Sequence, residues 1–189
     1  MKFFLGLVIG FLIIPVGVAI YLKAGHPPVA VADPAFPFEK QIVHVPLNAR
    51  IKREMPASLP IDASAPNLIA GAQIYRQSCA ACHGVEGHPS QFGAHMYPHA
   101  PQLWSKHRNG VVGVSDDPVG ETYWKVANGI RLSGMPAFDK ILNPTQMGQV
   151  SQLLRSADQP LPIDADVLVS TPLDFSIPSP NVPATKALH

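Results

Sequence analysis

The sequence predicts an all-α domain preceded by an apolar N-terminal helix and flanked by extended, proline-rich arms. Three segments of residues 67–158 carry apolar side chains at helical spacing, and no convincing run of alternating strands separates them. The 21 prolines of the 189-residue chain concentrate outside that region, with eight in residues 24–66 and six in residues 159–189. We therefore divide the chain into an anchor (1–24), a linker (25–66), a folded domain (67–158) and a tail (159–189).

The first segment is typical of a transmembrane helix. Residues 3–22 contain no charged side chain, and a helix of ~20 apolar residues crosses a bilayer core. The alternative is a cleaved signal peptide, with the small residues Ala30–Ala32 as its cleavage site. That site lies well past the apolar stretch, which is longer than the usual core of a signal peptide. We expect a retained anchor, and an exported domain after it.

The linker is expected to be extended, because its prolines prevent a long helix. Within it, alternate residues are apolar from Val43 to Ile51. This spacing is typical of a half-buried strand, which Pro46 would restrict to a sheet edge. Chance alternation in a loose linker explains the pattern equally well. The tail has few charges and some apolar residues, so we expect it to lie against another surface.

Three helices are predicted in the folded domain, each starting beside a proline. Their N-caps are Asn67, Asp117 and Asn143, and Asn128-Gly129 is a plausible end for the second. Gln146 follows the third cap at the spacing of a capping box. The apolar stripes are Leu68, Ala72, Tyr75 and Cys79 in the first helix, Val119, Tyr123, Val126 and Ile130 in the second, and Met147, Val150, Leu153 and Leu154 in the third.

The only two cysteines form the motif Cys79-x-x-Cys82-His83. A structural zinc site would need further ligands from distant histidines. A thioredoxin-like redox pair expects a preceding strand, and here a helix leads into the motif. A disulfide between residues this close is strained and leaves the histidine unexplained. The motif is the attachment sequence of c-type haem, in which both thiols bind the ring and the histidine ligates the iron.

Met135 is the candidate for the sixth iron ligand. It lies between Gly134 and Pro136 in "NGIRLSGMPAF", downstream of the second helix. A thioether is a soft ligand that suits haem iron and raises its potential. A packing methionine is the alternative, but such residues usually lie on an apolar stripe, as Met147 does. Four histidines between the motif and the second helix are expected to be loop residues, although His95 and His99 could hold a second metal, and one of the four could replace Met135. These are His88, His95, His99 and His107.

Residues 67–158 resemble a class I c-type cytochrome. The resemblance is carried by "GAQIYRQSCAACHG", "HAPQLW", "YWKVANGIRLSGMPAF" and "PTQMGQVSQLLRS", in that order. It implies helices around one covalent haem c, with the first and last helices crossing at Gly71, which would face Val150 and Leu153. It also implies that Tyr75 packs near the haem and that the Pro101 carbonyl accepts a hydrogen bond from His83. The last helix lacks the aromatic residue often found there in the family.

The resemblance implies an electron-transfer protein rather than an enzyme. We expect a membrane-anchored monohaem cytochrome c that relays single electrons, with redox proteins as its partners and no small-molecule substrate. Net charge is +1, which gives no reason to expect nucleic acid. Because c-type haem is attached outside the cytoplasm in this family, we expect a bacterial inner-membrane protein with its haem domain in the periplasm, within a respiratory or dehydrogenase complex. The alternative is a haem-based sensor or peroxidase-like protein with a labile sixth ligand.

Overall fold

The computed structural model describes residues 2–107 and 110–174, and within them the chain is helical, with isolated β-bridges in place of strands. The helices are α1 (Lys2–Ala24), α2 (Glu39–Glu54), α3 (Ala65–Ser78), α4 (Ala80–His83), α5 (Gln91–Ala94), α6 (Val119–Asn128), α7 (Pro144–Arg155) and α8 (Ile163–Ser170). The chain divides into two compact units, one ending at Ala49 and one beginning at Arg50. The all-α prediction is confirmed for the described residues.

Helix α1 covers the uncharged N-terminal stretch. In the part of the chain that the structure describes, however, no helix combines the length and apolarity that crossing a membrane requires. The transmembrane anchor predicted for residues 1–24 stays a prediction from the sequence.

The expectation that residues 25–66 are extended throughout is wrong, because α2 occupies Glu39–Glu54 and runs through Pro46. The strand suggested by the alternation from Val43 to Ile51 is also wrong. An interior proline removes one backbone hydrogen bond and costs about 3 kcal/mol. Docking of the last turn of α2 in the second unit offsets that cost. Ile51 is buried there, and the Glu54 carboxylate accepts a hydrogen bond from the indole of Trp124 at 3.0 Å.

The core of the second unit is built where α3 packs on α7 and α8, and α6 packs on α7. Gly71 on α3 allows the close crossing with α7, because a Cβ there would clash with the carbonyl oxygen of Gln149 and lie 3.1 Å from Leu153 Cβ. The predicted role of Gly71 is therefore confirmed, with Gln149 rather than Val150 as the nearest neighbour. The missing aromatic on α7 does not prevent the crossing.

The predicted end of α6 and the predicted cap of α7 are confirmed, but α6 and α3 do not start as predicted. Pro118, and not Asp117, is the N-cap residue of α6. Asn143 and Gln146 form the predicted capping box of α7. Gly129 ends α6 with a φ of 64°, as expected. Helix α3 begins earlier than predicted, with Ser64 as its N-cap. The Asn67 amide instead donates to the Asp62 carboxylate at 2.7 Å.

The beginning of the tail is helical and packs on its own unit, which corrects the prediction of an extended arm over residues 159–174. Ala165 and Val169 of α8 are fully buried in the core shared with α3. The Arg76 guanidinium on α3 donates to three carbonyl oxygens at the end of α8, those of Leu168, Thr171 and Pro172. The remainder of the predicted tail, residues 175–189, lies outside the described residues.

Candidate haem site

The two thiols and the imidazole of the motif lie on α4 and the turn that precedes it. Helix α3 ends at Ser78, and Cys79 continues directly into α4, which ends at His83. Both cysteines are free thiols and half-buried. Burial, with a smaller contribution from Cys82, raises the pKa of Cys79 to about 12. A redox-active cysteine needs a lowered pKa, so this environment does not favour the thioredoxin-like interpretation.

The His83 ring is fixed through one of its two nitrogens. Nδ1 lies 2.8 Å from the carbonyl oxygen of Pro101. Since a carbonyl accepts, Nδ1 carries the proton and Nε2 presents its lone pair. Burial lowers the pKa of His83, and the hydrogen bond to Pro101 partly opposes that effect. A neutral imidazole held in this tautomer is the form that binds a metal.

The loop that supplies Pro101 is tied to the motif by the side chain of Gln102. Its amide nitrogen donates to the carbonyls of Ala100 at 3.0 Å and Cys82 at 3.3 Å, and its amide oxygen accepts from the backbone N–H of Ser90 at 2.7 Å. Gln102 was not among the site residues predicted from the sequence. An amide directly after the predicted proline was the only signal for it.

Tyr75 is fully buried beneath the motif. Its hydroxyl donates to the carbonyl oxygen of Gly84 at 2.7 Å, and its ring meets the ring of Trp104 edge-on, with centroids 5.7 Å apart. Burial raises the pKa of the Tyr75 hydroxyl well above its ordinary value. Tyr75 therefore packs against the segment that contains His83 and is bonded to it at Gly84. This agrees with the packing role that the resemblance implies.

Met135 is half-buried in a tight loop closed by two hydrogen bonds. The N–H of Ile130 donates to the Met135 carbonyl at 3.1 Å, and the N–H of Met135 donates to the Ser133 hydroxyl at 3.2 Å. Leu132 and Gly134 have φ values of 64° and 77°. Leucine rarely adopts this left-handed conformation. The loop also borders an open cleft of about 370 Å³.

Contacts through one segment link the histidine side of the site to the methionine loop. The Ser90 hydroxyl donates to the Ala81 carbonyl and accepts from the N–H of Gly93. Farther along this segment, the methyl carbon of Met96 lies 2.6 Å from the position of a Cβ added at Gly134. The structure thus brings the Met135 loop against a segment that is bonded to the Cys79–His83 motif. Met96 carried no signal in the sequence beyond its position in a loop.

The histidines of the connecting loops are exposed. His95 Nδ1 lies 2.8 Å from the Gln91 carbonyl, and His107 Nε2 lies 3.0 Å from the Gly113 carbonyl, so both rings hold local turns. Among the residues that the structure describes, no three His, Cys, Asp or Glu side chains come close enough together to hold a metal ion. Neither a structural zinc site nor a second metal at His95 and His99 gains support.

The residues of this site fit a covalent haem. Two free thiols and a neutral imidazole with one free nitrogen are the protein groups that haem c attachment uses. One polar group beside Tyr75, the Trp104 indole N–H, is buried and makes no hydrogen bond of ordinary geometry. The indole lies near enough to the Tyr75 hydroxyl to oppose part of the rise in its pKa. Buried polar groups normally have partners, so the indole N–H would be available to a polar group of the bound haem.

Comparison with known proteins identifies a family for the haem site. The family model described as Cytochrome c matches residues 68–158, about half of the chain. Neither the curated proteins nor the solved structures yielded a match.

Proposed function

We propose that this protein relays single electrons between redox partners. Residues 68–158 are a cytochrome c domain, which implies covalent haem c, and Cys79 and Cys82 fit the motif that attaches it. The observation that carries the proposal is the His83 ring, whose Nδ1 is bonded to the Pro101 carbonyl within that domain, so that Nε2 would be free to bind a haem iron. His83 and Met135 are the proposed axial ligands. The haem iron supplies one-electron chemistry, and the chain supplies the ligands and a rigid setting.

The proposed ligand set is what separates a relay from an enzyme. An iron held by both His83 and Met135 has no open position for a substrate, so electron exchange is the chemistry that remains. Residues 67–158 carry seven Lys and Arg against six Asp and Glu. A near-neutral domain gives little long-range steering toward a charged partner. Tethering beside a partner would compensate, because it raises the effective concentration.

The competing function is a ligand-binding haem sensor or a peroxidase-like protein, and one feature favours it. The Met135 loop contains a strained leucine and borders an open cleft, so the sulfur could leave the iron. Carbon monoxide added to the reduced holoprotein separates the two functions. A low-spin absorption spectrum that carbon monoxide leaves unchanged supports the relay. Rapid carbon monoxide binding supports the sensor or peroxidase.

Membrane anchoring by residues 1–24 is the second part of the proposal, and its support is the uncharged stretch of residues 3–22. An arginine at the centre of a membrane helix costs roughly 2.5–3.5 kcal/mol. The double variant Ile13→Arg/Ile14→Arg should therefore release the protein from membranes during an alkaline wash. Val29→Arg in the linker is the matched control and should remain bound. Equal retention of both variants would contradict the anchor.

We further propose that the haem domain lies in the periplasm, at the inner membrane of a bacterium, as a subunit of a respiratory or dehydrogenase complex. The support is the family's site of haem attachment and the low-charge, proline-rich composition of the arms. Purification in mild detergent, followed by identification of co-purifying chains, tests the assembly. Co-purification of a second redox protein supports the complex, and isolation of the cytochrome alone under conditions that preserve other complexes contradicts it.

A further inference from the structure

Helix α2 presents an exposed apolar face in the unit that ends at Ala49. Phe38, Ile42 and Val45 are 74%, 62% and 68% exposed. The spacing i, i+3 places Ile42 and Val45 on one side of α2, and Phe38 immediately precedes the helix. Phe36, also exposed, precedes Phe38 by two residues. Contiguous exposed apolar side chains on a soluble protein usually mark an interaction surface.

The first aromatic residue of this face is held in an unfavourable backbone conformation. Phe38 has a φ of 64°, a region that bulky residues rarely occupy. Its carbonyl accepts the N–H of Ile42 at 2.9 Å, and the Glu39 carboxylate accepts the N–H of Phe36 at 2.8 Å. The turn that starts α2 therefore fixes both phenylalanines in exposed positions. Strain of this kind persists mainly where function requires it.

The connection from α1 to α2 is folded into turns. Fourteen residues, 25–38, separate the two helices, and fully stretched they would span roughly 50 Å. The Asp33 carboxylate shortens this connection, because it accepts the backbone N–H groups of both Val29 and Ala30 at 2.8 Å. This turn makes the path from α1 to α2 shorter than a fully extended chain.

The charges of α2 suit a lipid surface better than an apolar protein surface. Lys40 is exposed on the side of α2 opposite the apolar face, and the last turn of the helix adds the exposed Lys52 and Arg53. Aromatic and aliphatic side chains combined with lysine and arginine are typical of helices that lie in the interfacial zone of a membrane containing anionic lipids.

We propose that the face formed by Phe36, Phe38, Ile42 and Val45 lies in the interfacial zone of a phospholipid bilayer and holds α2 along the membrane surface. This proposal deepens the proposed membrane anchoring and rests on it for the position of α2. It adds a second lipid contact after α1, which restricts how far the haem domain moves from the membrane.

Position-specific fluorescence quenching tests this contact in the full-length holoprotein, reconstituted in vesicles of phosphatidylcholine with a minority of phosphatidylglycerol. Single labels are placed at Ile42→Cys, Lys40→Cys and Val16→Cys, since the thiols of Cys79 and Cys82 are consumed by haem attachment. We expect lipid-borne doxyl groups to quench position 42 several-fold more than position 40. A water-soluble quencher should show the opposite order. Position 16 in α1 reports the anchor separately.

The outcomes are distinguishable. If lipid quenches the label at position 16 while the water-soluble quencher reaches positions 40 and 42 equally, the interfacial contact is contradicted and the membrane anchor is supported. Lipid quenching at 42 without any at 16 supports the contact and contradicts the anchor. Shielding of 42 from both quenchers shows that protein covers the face, which also overturns the proposal.

A matched pair of substitutions adds a second readout. Val45 lies on the proposed face, and Val43 lies roughly 200° around the helix from it. Val45→Asp should lower lipid quenching at position 42 by about twofold or more, whereas Val43→Asp, with the same change in charge, should leave it nearly unchanged. Equal effects of the two variants overturn the assignment of this face. The haem absorption spectrum of each variant verifies that the domain has folded.

Discussion

The two sides of the haem site differ in how firmly the chain holds the proposed ligand. On the histidine side, the ring of His83 is bonded to Pro101, and Gln102 ties the surrounding loop together with three further hydrogen bonds. On the methionine side, Met135 lies in a short loop with a left-handed leucine that is 85% exposed. The histidine side is therefore the more firmly held of the two. If His83 and Met135 bind the iron as proposed, the histidine side would fix the orientation of the haem, and the methionine side would set its potential and the access to the iron.

Replacing the proposed sixth ligand should have the largest effect on the redox properties. Met135→Leu preserves volume and removes the thioether, so the fold should survive while the reduction potential falls. Axial ligands set haem potentials over roughly 0.8 V, and we expect a decrease on the order of 0.1 V, together with rapid carbon monoxide binding. Potentiometric titration and reduced spectra measure both.

Met147→Leu is the control, because Met147 is buried on the apolar face of α7. It should leave potential and spectrum unchanged. If Met135→Leu behaves like Met147→Leu, Met135 is a packing residue, and one of the exposed histidines becomes the candidate ligand.

Loss of the Gln102 side chain should loosen the rigid side. Gln102→Ala leaves the Ser90 N–H and two carbonyls without their partner, and we expect the free energy of unfolding to fall by about 2–3 kcal/mol. The exposed Gln73→Ala on α3 should change it by less than about 0.5 kcal/mol. Denaturant titration of the two holoproteins gives the difference. Equal stabilities would show that this network does not support the motif.

Opposite effects are expected from two substitutions in the methionine loop. Leu132→Asn suits the left-handed backbone better and should raise the free energy of unfolding by about 1 kcal/mol. Gly134→Ala puts a Cβ at a φ of 77° and against Met96, and should lower it by about 1–2 kcal/mol. Denaturant titration measures both. A destabilised Leu132→Asn would mean that the leucine side chain stabilises the loop.

The smallest expected effect on the free energy of unfolding comes from Asp117, which precedes α6 and belongs to neither the histidine side nor the methionine side of the site. Burial raises the pKa of Asp117, and Lys125 partly opposes this. The folded state therefore binds the Asp117 proton more tightly than the unfolded state does. Protonation of Asp117 stabilises the fold fully at low pH, and this stabilisation is lost as the pH rises through the folded pKa. Asp117→Asn should gain a few tenths of a kcal/mol at neutral pH and nothing in strong acid. Lys125 keeps its ion pair with Glu121, at 2.7 Å. A pH-independent difference would contradict this reasoning.

Local signals in the sequence predicted the features of the site that depend on local chemistry. The capping box at Asn143 and the end of α6 at Gly129 follow from residue types at fixed spacing. The hydrogen bond between His83 and Pro101 was expected from the family resemblance, and it is present. Binding of the haem iron by His83 and Met135 stays a prediction.

The features that the sequence did not predict depend on tertiary contacts. Helix α2 continues through Pro46 because its last turn docks on α6, where Trp124 bonds Glu54 and Arg50 lies over the indole ring. Helix α8 forms in a proline-rich tail because Arg76 caps its end and the core buries one of its faces. Proline content predicts the local preference for extended backbone. It carries no information on the tertiary contacts that stabilise these two helices. The role of Gln102 was missed for the same reason, since its partners lie up to 20 residues away.

The absorption spectrum of the denatured polypeptide, after extraction with acidic organic solvent, tests the central claim most directly. Covalent attachment through Cys79 and Cys82 predicts that the haem stays with the unfolded chain and is lost in the double variant Cys79→Ala/Cys82→Ala. A colourless wild-type chain with all haem in the extract would contradict a haem c protein. It would also remove the basis for His83 and Met135 as ligands.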